Sequence, residues 1–244
     1  MNTPQKPENL PRSLFHSFSN DYTKGSLIDM SESLLDLATE SILNSEVLVK
    51  LPIVGGLVAV SKGVIDFRDR QFVSKVLRVI AETSDVDPKE SAKFREEIDA
   101  DLVMARRVGA VLLDLIDKAT GTEKAAMIGK VVRAKMHEPF TYDEMIGLCE
   151  MIEKAYLSDL KALARRDDEL GPPWNDVNLE GVGIKKPMRS EEVNDAIAAS
   201  MQKVQREMPI VRDKPVPITL KKPRVYESGL TDAGAMLRRI LRDY

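Results

Sequence analysis

The strongest constraint on this chain lies between Asp87 and Leu163, where helix-start signals recur and the apolar residues between them keep helical spacing. Asp87-Pro88-Lys89-Glu90 offers an N-cap carboxylate, a proline at the first helical position and an acid in the first turn. From there Phe94, Ile98, Leu102, Ala105, Val108, Leu112, Leu115 and Ile116 recur every three or four residues, which predicts one long helix reaching Lys118. Gly121 ends it, and Thr122 caps a helix through Met127, Ile128, Val131, Val132 and Met136 that stops at Pro139. Thr141-Tyr142-Asp143-Glu144 has the form of a capping box, in which the threonine and glutamate side chains exchange bonds with each other's backbone amides. It opens a helix through Met145, Leu148, Ile152, Leu157 and Leu160 to about Leu163. Amphipathic helices joined by short connections pack antiparallel, so the expected fold is an all-α antiparallel helical bundle.

The composition agrees with that reading. Aromatic residues are 5% of the 244 positions, and the apolar residues are mostly Leu, Ile, Val, Ala and Met, which favours helix over sheet. Upstream, Asp29-Met30-Ser31-Glu32 predicts a first helix carrying Leu34, Leu35, Ala38, Ile42 and Leu43, and Phe72 to Glu82 predicts another. The expected organisation is a flexible N-terminal arm over 1–28, a helical bundle over 29–166, and a linker with a small basic C-terminal region over 167–244. In the arm, Leu14-Phe15-His16-Ser17-Phe18 is suited to docking on a partner or back onto the domain. The linker holds Gly171-Pro172-Pro173-Trp174-Asn175; a helix over 191–207 and a proline-rich stretch with a short strand at Ile218–Leu220 follow. Thr231 caps a last helix over Asp232–Arg242.

Little in the sequence points to chemistry. The single cysteine, Cys149, excludes a disulfide framework and a cysteine-based zinc site, and its place between Leu148 and Met151 reads as a buried structural thiol. His137 ends a helix, where a positive charge suits the dipole. There is no phosphate loop, dinucleotide fingerprint, nucleophile elbow or H-E-x-x-H pattern. The expectation is a non-enzymatic protein with no cofactor, metal or catalytic residue. Charge is uneven: from Lys185 onward there are 13 Lys/Arg against 8 Asp/Glu, and before it 23 against 31. Lys221, Lys222, Arg224, Arg238, Arg239 and Arg242 are candidate anion contacts, and a nucleic-acid-binding regulator using this region is the alternative function.

The Val47–Val60 segment admits two readings. One is a buried core helix, since 10–14 apolar residues are typical of that. The other is an element for membrane or subunit contact through Leu51, Ile53, Val54, Gly55, Gly56, Leu57 and Val58, with the glycines permitting close approach. No apolar stretch reaches ~18 residues, and Met1–Gly25 has no signal-peptide core. The expected setting is the cytoplasm, with peripheral membrane association through this segment, and the expected partner is another protein or a second copy of the chain.

Leu51-Pro52-Ile53-Val54-Gly55-Gly56 followed by Phe67-Arg68-Asp69-Arg70-Gln71-Phe72 resembles a widespread family of bacterial helical proteins. Lys124-Ala125-Ala126-Met127-Ile128-Gly129-Lys130 and Ala155-Tyr156-Leu157-Ser158-Asp159-Leu160 are similar to it as well. So is the ending from Gly229-Leu230-Thr231-Asp232-Ala233-Gly234 through Leu241, which resembles the final helix of a winged-helix-like tail; the proline-rich insert before Tyr226 departs from that pattern. Members are often found in prophages and in mobile or anti-phage defence regions. The resemblance implies an effector of phage–host conflict and supplies no catalytic residues.

Overall fold

The computed structural model describes residues 10–18, 22–35, 51–54, 67–165, 176–185 and 230–243. Over these residues the fold is all-α. In chain order the helices are α1 (Leu10–Ser17), α2 (Lys24–Ser33), α3 (Phe67–Thr83), α4 (Pro88–Ala100), α5 (Leu102–Lys118), α6 (Gly121–His137), α7 (Tyr142–Lys154), α8 (Leu157–Ala164), α9 (Asp176–Gly181) and α10 (Asp232–Asp243). The most extensive interface joins α3 to α6; α2 lies on α3, α1 on α5, α7 on α5 and α6, and α10 on α6 and α8.

Local caps set several of these boundaries as expected. Asp87 Oδ1 accepts from the Lys89 amide at 2.8 Å, with Pro88 in the first turn of α4. The Thr141 box forms in full: Thr141 Oγ1 accepts from the Glu144 amide at 3.1 Å, and Glu144 Oε2 accepts from the Thr141 amide at 2.7 Å. Those bonds, from the Thr141 backbone first, hold the Glu144 carboxyl below its ordinary pKa. Thr231 Oγ1 caps α10 by accepting from the Gly234 amide at 2.9 Å, and donates in turn to the Gly183 carbonyl at 2.7 Å.

Other boundaries are corrected. The first helix of the bundle begins at Lys24, capped by Thr23, and Asp29 lies inside it. The long helix expected over 87–118 is two: Asp101 leaves helical geometry (φ −132°, ψ 89°), and its Oδ1 accepts from the amides of Val103 and Met104 at 3.1 and 2.9 Å. A residue that can serve as an N-cap divides a continuous apolar stripe without interrupting its spacing. Thr120, not Thr122, precedes α6, and Gly121 takes the positive φ of 78° there. The helix opened by Thr141 ends at Lys154; Ala155 and Tyr156 are extended, and α8 follows.

Within the expected arm over 1–28, Leu10–Ser17 forms a helix. Helix α1 buries Leu14 and Phe15, and Phe18 just after it is buried too; rings run from Phe18 to Phe15 (5.9 Å between centroids), on to Phe94 (6.0 Å) and then Tyr142 (6.1 Å), joining α1, α4 and α7. Burial of two phenylalanines and a leucine offsets part of the entropy cost of ordering so short a helix. Gly109 of α5 makes the approach feasible, because a Cβ there would lie 2.6 Å from the Pro11 carbonyl oxygen. The docking alternative for Leu14–Phe18 is the one observed.

Residues beyond 166 also contribute to the core. Leu179, Ile184, Leu237, Ile240 and Leu241 belong to the hydrophobic cluster that contains the bundle's core. Lys185 and Leu230 form an isolated antiparallel bridge, and a Cβ on Gly234 would lie 2.0 Å from the Ile184 carbonyl oxygen. The expected helix at 191–207 and strand at 218–220 lie outside the described residues.

Three lysines, Lys124 buried and Lys75 and Lys130 part-buried, complete helix ends at a distance. Lys75 Nζ donates to the Asp117 carbonyl in the last turn of α5 at 2.6 Å, Lys124 Nζ to Glu153 in the last turn of α7 at 2.6 Å, and Lys130 Nζ to Leu241 in the last turn of α10 at 3.2 Å. Each ammonium has a pKa below its ordinary value, burial being the main cause. Each satisfies a carbonyl that its own helix leaves unpaired and meets the negative end of the helix dipole.

Candidate functional site

Among the described residues, an open groove of about 400 Å³ is bounded by α2, α3 and α6. Helical spacing builds its walls: Arg78 and Glu82 are one turn apart on α3, and Glu123, Met127 and Lys130 follow at four and three residues on α6. Lys24 enters from the first turn of α2, and its Nζ donates to Glu82 Oε2 at 2.7 Å. The Glu82 side chain is only 4% exposed, so this pair is far less screened than a surface bridge. Gly129 sets the spacing at the floor; a Cβ there would lie 2.8 Å from both the Val79 carbonyl oxygen and Glu82 Cβ. A buried hydroxyl pair, Ser31 Oγ and Ser74 Oγ at 3.0 Å, fixes α2 on α3; Ser74 Oγ also donates to the Ser31 carbonyl at 2.6 Å.

The groove has an excess of positive charge. Glu123 is paired with Lys161 of α8, and Glu82 with Lys24. Arg78 has no ion pair or hydrogen bond with any described residue. Lys130 is held below its ordinary pKa mainly by burial; Glu82 opposes that shift, and Lys24 and Arg133 add to it. Ala126 and Met127 supply an apolar wall between these charges. Cations and a short apolar wall thus line one open groove.

The residues singled out from sequence are placed differently. Leu51, Ile53 and Val54 are fully buried, and the Ile53 amide donates to Ser17 Oγ at 3.1 Å. At these three residues the burial fits the core reading of the segment. Gly55, Gly56, Leu57 and Val58 lie outside the described residues, as do Lys221, Lys222 and Arg224. On α10, Arg239 forms a two-point bridge to Glu138 at 2.7 and 2.5 Å, which ties the helix to the end of α6. Arg238 is part-buried and Arg242 exposed on the same helix.

Cys149 is fully buried, and burial pushes its thiol pKa up, away from the reactive thiolate. His137 Nδ1 lies 2.5 Å from Glu90, and His16 Nε2 lies 3.3 Å from Asp99, so both histidines face carboxylates of α4. Among the described residues no group of three or more His, Cys, Asp or Glu side chains is placed to hold a metal ion. Among the same residues no helix is long and apolar enough to cross a membrane.

The groove residues Lys24, Arg78 and Glu82 were not candidates from sequence. Arg78 and Glu82 show an i,i+4 pair, but on an amphipathic helix that pattern belongs to countless solvated faces. The Lys124–Lys130 stretch drew attention only through the family resemblance. No family model, curated protein or solved structure matches the chain.

Proposed function

We propose that the chain is a non-enzymatic interaction protein that binds an anionic partner in the groove between α2, α3 and α6. The observation that carries this reading is Arg78, a guanidinium without a partner among the described residues, beside Lys24 and Lys130. Lys24 and Arg133 both act unfavourably on the Lys130 ammonium, and an incoming anion offsets that repulsion. The side chains best suited to catalysis support a binding role over a reaction: Cys149 is enclosed and both histidines brace α4. The resemblance to bacterial helical proteins of prophage and defence regions gives such binding a setting in phage–host conflict. Within this proposal, Leu51, Ile53 and Val54 of the 47–60 segment serve the core. The nucleic-acid alternative is weakened at Arg239, whose charge is already met by Glu138.

Titration calorimetry with a panel of small anions at constant ionic strength tests the reading. Saturable binding that Arg78→Gln weakens about tenfold or more, roughly the worth of one charge-assisted hydrogen bond, supports it. Binding unchanged by Arg78→Gln, or no saturable binding at all, overturns it. DNA binding that falls with salt and is lost on replacing Arg238 and Arg242, but survives Arg78→Gln, favours the regulator instead.

A further inference from the structure

Resting on the proposal that this groove binds anions, we infer that its ligand is a small phosphomonoester in the dianionic form. The charge count points there. Lys24, Arg78 and Lys130 present three cations, and Glu82 removes one. Glu123 faces Lys161 and is neutralised outside the count. Two positive charges therefore remain to be met. A carboxylate monoanion leaves one of them uncompensated, whereas a phosphomonoester carries about −1.5 to −2 at pH 7.

The donors match in shape as well as charge. A guanidinium presents parallel N–H groups to two oxygens of one phosphate, while lysine ammoniums act as compact point donors to the remaining oxygen. Lys130 has three N–H groups, of which the Leu241 carbonyl takes one at 3.2 Å, leaving donors for the groove. Its proton affinity is depressed by burial and by Lys24 and Arg133, so Lys130 stands to gain from an incoming dianion. Ala126 and Met127 give the organic part of the ester an apolar wall to rest on. The volume, about 400 Å³, falls in the lower part of the range for small-molecule sites, ~300–1,000 Å³.

The full-length chain is titrated calorimetrically with glycerol 3-phosphate, inorganic phosphate, sulfate and acetate at fixed ionic strength, at pH 5 and pH 7. The charged groups facing the ligand are Lys24, Arg78, Glu82, Glu123 and Lys130, with Lys161 and Arg133 behind them, and no histidine is among them. Glycerol 3-phosphate is expected to bind about tenfold more tightly at pH 7 than at pH 5, because its second ionisation lies near pH 6. Sulfate, a dianion at both values, shows no such rise, and acetate binds at least tenfold more weakly. Arg78→Gln, with its melting curve checked, abolishes the preference for the dianion; Lys118→Gln on α5, whose partner is Asp114, leaves it unchanged. Acetate binding as tightly as glycerol 3-phosphate, or a flat pH response of the ester, overturns the ligand class while the anion groove stands. Inorganic phosphate binding more tightly than the ester overturns the organic part and assigns free phosphate. If none of the four binds saturably, the groove reading fails with it.

Discussion

Helices α6 and α4 are neighbours in the same bundle, and different forces hold them. Along α6, Ala125, Ile128, Val131, Val132 and Ala134 are enclosed, and Gly129 brings its backbone against α3. Along α4, only Ser91, Phe94 and Ile98 are buried. What α4 lacks in burial is supplied at its rim: His137 meets Glu90, Lys135 lies 3.8 Å from Glu97, and Arg12 and His16 converge on Asp99 at 2.9 and 3.3 Å. Tyr142 donates to Glu97 at 3.4 Å and lies under the Lys135 ammonium, 4.6 Å from its ring centre. Its phenol is pushed above its ordinary pKa by burial first and Glu97 second. The contrast teaches that α6 is set by non-directional burial and close backbone approach, and α4 by contacts that salt and acid can weaken.

The largest effect expected from this contrast is at Ile128. Ile128→Ala opens a cavity in the α3–α6 interface and is expected to cost about 2–5 kcal/mol in denaturant unfolding. Labelling of Cys149 by a thiol reagent should accelerate in step, since a fully buried thiol reacts only when the core opens. A loss below 1 kcal/mol would mean that α6 is not the packed member of the pair.

Gly129→Ala comes next. The added methyl would meet backbone and Cβ atoms at 2.8 Å, so α6 must shift, with an expected loss of about 1–3 kcal/mol. The same substitution at Gly147, where nothing lies within 4 Å, is the control and should be neutral or slightly stabilising through its better helix propensity. Equal losses at the two glycines would remove the argument for a close α3–α6 approach.

A smaller effect separates the two helices by salt. Amide exchange in α4 should be faster than in α6 and should quicken further at about 1 M salt, where the screening length falls to ~3 Å. Exchange in α6 should be nearly insensitive. Uniform protection across both helices at high salt would show that Phe94 and Ile98 alone suffice to hold α4.

The smallest effect concerns acid. Asp99 has its pKa held below the ordinary value, chiefly by the Arg12 hydrogen bond, with His16 adding to it. A carboxylate with a depressed native pKa stabilises the fold fully above its unfolded value of about 3.9, and that contribution is lost as pH falls through the native value. Asp99→Asn should therefore lower stability across the range above about pH 4, where the carboxylate's contribution is fully present, and flatten the acid limb below it, where wild type loses the same contribution. An unaltered acid limb would place the acid sensitivity on other carboxylates, such as Glu144 in its capping box.

What was legible in the sequence, and what was not, follows the range of the interactions involved. The starts of α4, α7 and α10 were readable because each cap is complete within four residues: Asp87 with Lys89, Thr141 with Glu144, Thr231 with Gly234. The all-α class was readable because the 3.6-residue period persists through every apolar stripe from Phe72 to Leu160. The breaks at Asp101 and Ala155 leave that period intact, so only the folded chain reveals them. The docking of α1 depends on Gly109 accepting Pro11, nearly a hundred residues away, and a tail of that composition reads locally as solvated. The groove depends on Lys24 reaching Glu82 across 58 positions and on Lys130 reaching Leu241 across 111. Local bonds are written into adjacent residues, whereas an Arg78 without a partner among the described residues becomes visible only when packing has placed their other charges around it.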